Sequence, residues 1–241
     1  MAARVVADDV PDPGIPLEWR AVHRETEVGE RVVLGPLPRA AWPNRLLEPV
    51  VEGAGFVDPT GRTRGGMVTV TATRARTIPD TVGPGMRLLV VGLNPSLLSA
   101  DLGVGFARPG NRFWPAAIEA GLVTEARDPL DALVYHRIGM TDLVKRATRA
   151  AAELEPDEYR HGLGRLDTLV GWLQPEAVCI VGLAGWRAAV DWKATTGWHE
   201  RGVGGRPAYV MPNPSGLNAH DTVASLAAHL RAASAGTSPA S

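Results

Sequence analysis

The spacing of apolar and polar residues is most regular in the last two thirds of the chain. Three continuous apolar runs there are typical of strands buried on both faces: 87–92, 177–182 and 208–211. Segments with helical spacing lie between or after them: 111–120, 156–173, 184–192 and 221–232. Because strands alternate with helices, the pattern predicts an α/β domain at 86–233. We expect a mainly parallel central sheet with helices on both of its faces.

The first third of the chain has shorter and less regular segments. Helical spacing at 17–26 and 45–53 alternates with strand-like runs at 31–34 and 67–72. These segments predict a small N-terminal α+β appendage at 17–77.

The order of elements in this appendage loosely resembles the last third of a Rossmann-type methyltransferase. The sequence holds no preceding strand with a Gly-x-Gly-type loop, which such a fold needs to bind its cofactor. We therefore expect a structural or DNA-contacting appendage rather than one with a methyltransferase-like activity. Such an activity would require measurable adenosylmethionine binding, which we do not expect.

Three further segments are predicted to be connections or ends. Residues 1–16 and 78–85 are rich in proline and glycine, and 234–241 is small and polar. We expect a disordered lead-in at 1–16, a linker at 78–85 and a disordered tail at 234–241.

The chain has 25 basic and 26 acidic residues, so its net charge is close to zero and does not identify a binding partner. Locally it is uneven, since residues 61–76 hold four arginines and no acidic residue. Arg62, Arg64, Arg74 and Arg76 are therefore either phosphate contacts or the solvated face of a hairpin. The sequence leaves both interpretations open.

Cysteine content and hydropathy exclude several classes of protein. Cys179, the single cysteine, lies in an apolar run and is predicted to be a buried core thiol. One cysteine cannot form a disulfide framework, a cysteine-ligated zinc site or an iron–sulfur cluster, and we expect neither metal nor cofactor. No apolar run is long enough to cross a membrane, and the N-terminus lacks the layout of a signal peptide. We therefore expect a cytoplasmic protein with no membrane partner.

Two short motifs directly follow predicted strands. The first is GLNPS at 92–96, which is followed along the chain by Phe106 and by GNRFW at 110–114. The second is NPSGL at 213–217. The carboxyl ends of parallel strands meet at one edge of a sheet, where ligands bind in open α/β folds. We therefore expect the two motifs to form one pocket. Each motif alone is an ordinary turn sequence, but the combination is specific.

In combination these motifs resemble those of the mismatch-specific uracil-DNA glycosylases, the superfamily branch that includes thymine-DNA glycosylase. The resemblance covers roughly 86–231 and includes TDLVKRAT at 141–148. It implies a three-layer α/β/α domain that flips uracil, or a related damaged base, out of duplex DNA. The enzyme would hydrolyse the N-glycosidic bond in base excision repair, as a monomer associated with the nucleoid and with G:U mismatches as substrate. Neither motif contains a lysine for a Schiff base, which predicts base release without strand cleavage.

The first motif is assigned to catalysis and to base binding. Asn94 would orient the attacking water through its amide, without acting as a strong base. Backbone N–H groups of the 93–96 turn would bind a uracil oxygen, and Phe106 would stack on the flipped base unless it is a core aromatic. The full base-binding set is Gly92, Leu93, Pro95, Ser96, Ser99, Ala100, Phe106 and Asn213. The resemblance places Ser99 and Ala100 near C5 of the base.

The second motif is assigned to DNA. Leu217 matches the wedge that fills the space left by the flipped base, although it is alternatively an ordinary loop residue. Asn213 takes the place of a histidine that stabilises the leaving base in other branches, and His220 is either a partial substitute or a helix-start residue. The remaining predicted DNA contacts are Ser215, Gly216, Asn218, Arg108, Arg112, Lys145 and Arg146. The four cations are alternatively plain surface charges, and Arg112 alternatively braces a helix.

The motifs depart from the family pattern at two places. Ser96 replaces a glycine, which would narrow the pocket or change its polarity. Asn218-Ala219 stands where the family often has Ser-Arg, and the arginine helps to read the orphaned guanine. Strict dependence on G:U is therefore open, as are other pairings, deaminated purines and ethenocytosine. The alternative to a glycosylase is a damaged-DNA binding module with little or no catalysis.

Overall fold

A computed structural model describes residues 9–216, 218 and 220–236 of the chain. The N-terminal appendage is a three-stranded antiparallel sheet with two helices. Its elements are α1 (Ile15–Glu25), β1 (Arg31–Pro38), α2 (Asn44–Gly53), β2 (Phe56–Arg64) and β3 (Met67–Arg74). The strand order is β1-β3-β2, so that β3 lies in the middle.

The larger sheet has five strands. They are β4 (Leu88–Gly92), β5 (Ile138–Asp142), β6 (Ala177–Val181), β7 (Gly197–Val203) and β8 (Arg206–Met211). Four strands run parallel in the order β5-β4-β6-β8, and β7 pairs antiparallel with β8 at one edge. The three strands β4, β5 and β6 are buried along their whole length. The continuous apolar sequences of β4 and β6 predict this burial, whereas β5 ends in the polar residues Thr141 and Asp142.

Helices cover both faces of this sheet. They are α3 (Leu97–Leu102), α4 (Phe113–Glu119), α5 (Pro129–His136), α6 (Pro156–Leu173), α7 (Leu183–Ala189) and α8 (Val223–Ser234). Successive residues of β4 point to opposite faces: Leu88 and Val90 pack in one apolar cluster with α4 and α8, and Leu89 and Val91 in another with α6. The predicted α/β/α arrangement with a mainly parallel sheet is therefore confirmed. Cys179 is fully buried in it, as predicted.

The apolar pattern did not predict α5 and β5, nor three further elements, namely β2, α3 and β7. All residues of β2 after Phe56 are exposed, so the strand shows no alternation. Helix α3 has only six residues, and most of β7 is not buried. Each therefore lacks the apolar periodicity on which a sequence-based prediction depends.

The segment 78–85 connects the two sheets, but it is largely buried rather than an exposed linker. Thr81 exchanges backbone hydrogen bonds with Met140 of β5 (2.9 and 2.8 Å). The predicted lead-in also ends earlier than expected, because Ile15 and Pro16 are buried in the first turn of α1. Residues 1–8 and 237–241, predicted to be disordered, lie outside the described residues.

The appendage and the main domain share one apolar core. Trp42, after β1, packs edge-on against Trp172 of α6 with 5.3 Å between ring centroids. Trp19 of α1 also packs against Trp42, with 6.1 Å between ring centroids. A single cluster of buried residues thus runs from α1 to β8 and fixes the appendage against the α6 side of the sheet.

Candidate active site

The two motifs meet at the carboxyl edge of the parallel strands, as predicted. They line a cavity of about 320 Å³, whose walls include Asn94, Ser96, Phe106, Thr148, Gly182 and Asn213. The backbone N–H of Arg112 donates to the carbonyl of Pro214 (2.9 Å). A side chain on Gly216 would come within 2.9 Å of the Gly110 carbonyl oxygen. Only glycine therefore allows the GNRFW and NPSGL loops to lie this close.

Asn94 is held in place by its amide nitrogen. Nδ2 donates to Thr148 Oγ1 (2.8 Å), to the Arg146 carbonyl (3.0 Å) and to the Pro95 carbonyl (3.2 Å). Because the two carbonyls can only accept, these contacts identify which amide atom is the nitrogen. Within the described part of the chain, no donor reaches the amide oxygen. That oxygen is left to accept a hydrogen bond from a water molecule.

Ser96 is the N-cap of α3. Its Oγ accepts from the Ser99 backbone N–H (3.1 Å) and donates to Ser99 Oγ (3.0 Å). The residue that departs from the family pattern thus stabilises the short helix beside the cavity. Both serines line the cavity, so the serine at position 96 adds a polar group to its wall.

Phe106 presents an aromatic ring to the cavity. The ring stacks on Phe113 with 4.1 Å between centroids and 23° between planes. Its backbone has a φ of 59°, which is uncommon for a residue other than glycine. Trp114 Nε1 donates to the Gly105 carbonyl (2.9 Å) and holds this loop in place. Phe113 covers one face of the Phe106 ring, and the cavity wall formed by Phe106 offers an aromatic surface on which a planar base can stack.

Asp142, which the motif pattern did not single out, places a carboxyl beside this site. It is the last residue of β5 and pairs in register with Gly92. A side chain on Gly92 would overlap Asp142 Oδ1 and touch the Phe106 ring at 3.5 Å. Asp142 is 8% exposed, and its carboxyl makes no hydrogen bond within the described residues. Burial raises the pKa of Asp142 to about 6. A polar residue at the end of a buried strand, in TDLVKRAT, was the signal that could have found it.

Arg112 supports the second motif from inside the protein, which favours the bracing interpretation over a DNA contact. Its guanidinium donates to the carbonyls of Ser215 (2.8 Å), Asn218 and Asp221. Asn218 Nδ2 in turn donates to the Asn213 carbonyl (2.9 Å). These bonds hold Asn213, Ser215, Asn218 and Asp221 close to the start of α4.

Lys145 is not a surface charge, which corrects its assignment as a phosphate contact. Its ammonium is buried and donates to Asp80 Oδ1 (2.7 Å) and to the Ile78 carbonyl (2.5 Å). Arg146 is exposed, but its guanidinium makes two hydrogen bonds to the Glu158 carboxylate (2.7 and 2.9 Å). Its charge is thus already matched, and its carbonyl serves to anchor Asn94.

Two arginines remain at the rim of the cavity. Arg108, one of the predicted contacts, is exposed and lines the opening. Arg149 does the same, although the motif pattern did not indicate it. It follows Thr148 directly, so the strand-end segment that anchors Asn94 also carries a cation to the rim.

The structure does not bring every predicted residue to the cavity. Ala100 faces α1 and lines a separate cavity of about 80 Å³ with His23 and Arg74, which corrects its assignment near C5 of the base. His220 is exposed, and the structure does not place it among the lining residues. Leu217, the predicted wedge, and Ala219 lie outside the described residues.

The fold and this pocket define an α/β protein with a ligand site at the carboxyl ends of its parallel strands. The family model of the Uracil DNA glycosylase superfamily matches residues 79–233. Because the match covers well over half of the chain, the chain belongs to this superfamily. The superfamily consists of DNA glycosylases, which act on DNA and hydrolyse N-glycosyl bonds of damaged bases. The prediction of a DNA-repair hydrolase is thus confirmed at this level. Within the described residues, no helix is long and apolar enough to cross a membrane.

Proposed function

We propose that this chain is a monofunctional DNA glycosylase of the mismatch-specific uracil type, which removes uracil or a related deaminated base from duplex DNA as the first step of base excision repair. The observation that carries the proposal is the anchoring of Asn94. Three acceptors hold its amide nitrogen, so that its amide oxygen can accept a hydrogen bond from a water molecule. Asn94 lines the same cavity as the aromatic ring of Phe106.

In the proposed reaction, the flipped base enters the cavity and stacks on Phe106. The Asn94 amide oxygen accepts a hydrogen bond from a water whose oxygen attacks C1′ of the sugar. The N-glycosidic bond breaks as the sugar takes on oxocarbenium character, and its electron pair leaves with the base. Backbone N–H groups of the 93–96 turn stabilise the negative charge on the base, which finally takes up the proton of the water. An amide is a poor base, so positioning and electrostatics supply the rate acceleration.

A single-turnover assay of base release tests this proposal. The substrates are duplexes with G:U, A:U and G:T pairs and single-stranded DNA with uracil. We expect the wild type to release uracil, with G:U preferred, and Asn94→Ala to lose release by about 100-fold or more while it keeps DNA binding. Thr148→Val, which removes one of the three anchors of Asn94, should reduce release by a smaller factor.

Asn44→Ala is the matched control, because Asn44 is an exposed asparagine in the appendage. It should release uracil at the wild-type rate. A wild-type rate in Asn94→Ala would refute the role of this residue. Tight binding of the lesion by the wild type, without release from any substrate, would instead support the damaged-DNA binding module.

A further inference from the structure

The outer face of the appendage sheet is open and carries a row of hydroxyl groups. Along the central strand β3, Val68 and Val70 are buried in the core, and the alternating residues point away from it. The outward row consists of Thr69, Thr71 and Thr73. Neither helix that the structure describes in the appendage covers this row, since α1 and α2 contribute to the core on the other side.

Three exposed arginines border this threonine row. Residues paired in register share a face of a sheet, so Arg31 of β1 lies beside Thr73, and Arg62 of β2 lies beside Thr69. Arg64 is the next outward residue of β2. Among the residues that the structure describes, the side chains of these arginines make neither a hydrogen bond nor an ion pair. We call Arg31, Arg62 and Arg64 with the three threonines the arginine face.

Several arginines elsewhere on the surface differ from these, because they pair with carboxylates. Examples are Arg137, Arg160 and Arg201, which pair with Glu176, Asp157 and Asp167. In the three strands of the appendage, by contrast, Asp58 is the single acidic residue, and it lies in the irregular part of β2. Unpaired cations on one face create a positive potential that paired cations do not.

We propose that the arginine face binds the phosphate backbone of duplex DNA next to the base that the main domain removes. The proposal rests on the proposed glycosylase function for the identity of the substrate. Guanidinium and hydroxyl groups are among the common donors to phosphate oxygens, and they require no particular base sequence. Arg74 and Arg76 are not part of this face, because Arg74 donates to the His23 carbonyl (3.1 Å) and Arg76 pairs with Asp101 (2.6 Å).

One end of the hairpin is anchored to a helix that borders the cavity. The Arg76–Asp101 pair joins the end of β3 to α3, the helix that Ser96 caps beside the cavity. From there β3 and β2 extend to the turn at Gly65 and Gly66. A strand of this length spans about 26 Å. Since base pairs rise by about 3.4 Å, a hairpin of this length matches about seven base pairs of a duplex.

A salt titration of DNA binding tests the arginine face. The probe is a lesion-free duplex of about 30 base pairs, and the variant is Arg31→Ala/Arg62→Ala/Arg64→Ala. Each arginine lost from a phosphate contact lowers the slope of log Kd against log salt concentration by about one, so we expect a fall of about three. Base release at saturating enzyme should stay at the wild-type rate, because the face does not touch the base.

The matched control is Arg137→Ala/Arg160→Ala/Arg201→Ala, which removes the same total charge from arginines that are already paired. It should keep the wild-type slope, and thermal melting of both variants checks that they are folded. An unchanged slope in the arginine-face variant, or an equal fall in both variants, would overturn the proposal. Binding to lesion-free DNA does not depend on catalysis, so this result is separable from a failure of the Asn94 test.

Discussion

Asn94 follows β4, and Asp142 is the last residue of the neighbouring strand β5. Their side chains differ in whether they have hydrogen-bond partners. The amide nitrogen of Asn94 has three acceptors, whereas the Asp142 carboxyl has no donor within the described residues. A buried carboxylate without donors is poorly solvated, so burial raises its pKa to about 6 despite the nearby Lys145. The sequence predicts the turn that contains Asn94. It does not predict the hydrogen bonds that hold the Asn94 amide or their absence at the Asp142 carboxyl.

At the residue scale, Asp142→Asn should change how stability depends on pH. An aspartate in an unfolded chain titrates near 3.9, so the raised pKa means that the folded state holds its proton more tightly. Ionisation of Asp142 therefore lowers the free energy of unfolding as the pH rises from about 4 to about 6, by about 3 kcal/mol in total. The asparagine variant lacks this loss. Relative to the wild type, its stability should rise between about pH 4 and pH 6, and the difference should stay constant above that range.

Urea denaturation at several pH values measures this difference. Asp157→Asn is the control, because the side chain of Asp157 is 87% exposed. It should follow the wild-type curve closely. If Asp142→Asn also followed it, Asp142 would be ionised in the folded protein with an ordinary pKa.

At the scale of elements, α6 supports the segment that anchors Asn94. Its Gly162 lies directly against the Leu143 carbonyl, where a side chain would overlap the backbone. Residues 143–148 continue from there to Arg146 and Thr148, the two residues beyond the first motif that hold the Asn94 amide. The helix span itself, Pro156–Leu173, agrees with the predicted 156–173. The close approach at Gly162 has no signature in the helical spacing.

We expect Gly162→Ala to destabilise the protein by about 1–3 kcal/mol, because the added methyl group forces α6 and the Leu143 backbone apart. Base release should fall as well, since the displaced segment carries the anchors of Asn94. Gly164→Ala is the control in the same helix, and its added methyl group would meet no atom within 4 Å. It should be neutral or stabilising by up to about 1 kcal/mol. Equal unfolding midpoints in urea for the two variants would contradict this account.

At the scale of the whole molecule, a buried ion cluster fixes the segment that connects the appendage to the main domain. Asp80 accepts from Lys145 (2.7 Å) and from Arg165 (2.9 Å). Burial alone would raise the pKa of Asp80, but the two cations outweigh it and hold the pKa below its usual range. Thr141 also donates to Asp80 (2.5 Å). The cluster thus fixes the segment 78–85 against β5 and α6.

Asp80→Ala should cost about 3–5 kcal/mol of unfolding free energy, because it leaves two buried cations without the carboxylate that they share. The control is Glu52→Ala, which removes a pair across the same junction, between Glu52 and the exposed His161 (2.8 Å). An exposed pair of this kind contributes about 1 kcal/mol or less. Denaturant unfolding compares the two variants. Similar small losses would show that the cluster does not hold the junction together.

The sequence by itself determined the α/β class, the buried strands and the two motifs that line the pocket. These features are local, because a strand covered on both faces must be apolar throughout, and a turn that follows it lies at the edge of the sheet. The exposed strand β2 and the short helix α3 were not predicted, because neither has an apolar pattern.

Only the tertiary structure decided which charged side chains are free to act. Lys145 and Arg112 look like surface cations in the sequence, but one is paired with Asp80, 65 residues away, and the other braces a loop more than 100 residues away. Arg31, Arg62 and Arg64 look no different, and yet no carboxylate of the described chain pairs with them. The free energy of a charge depends on burial and on partners, and the fold brings both from distant parts of the chain.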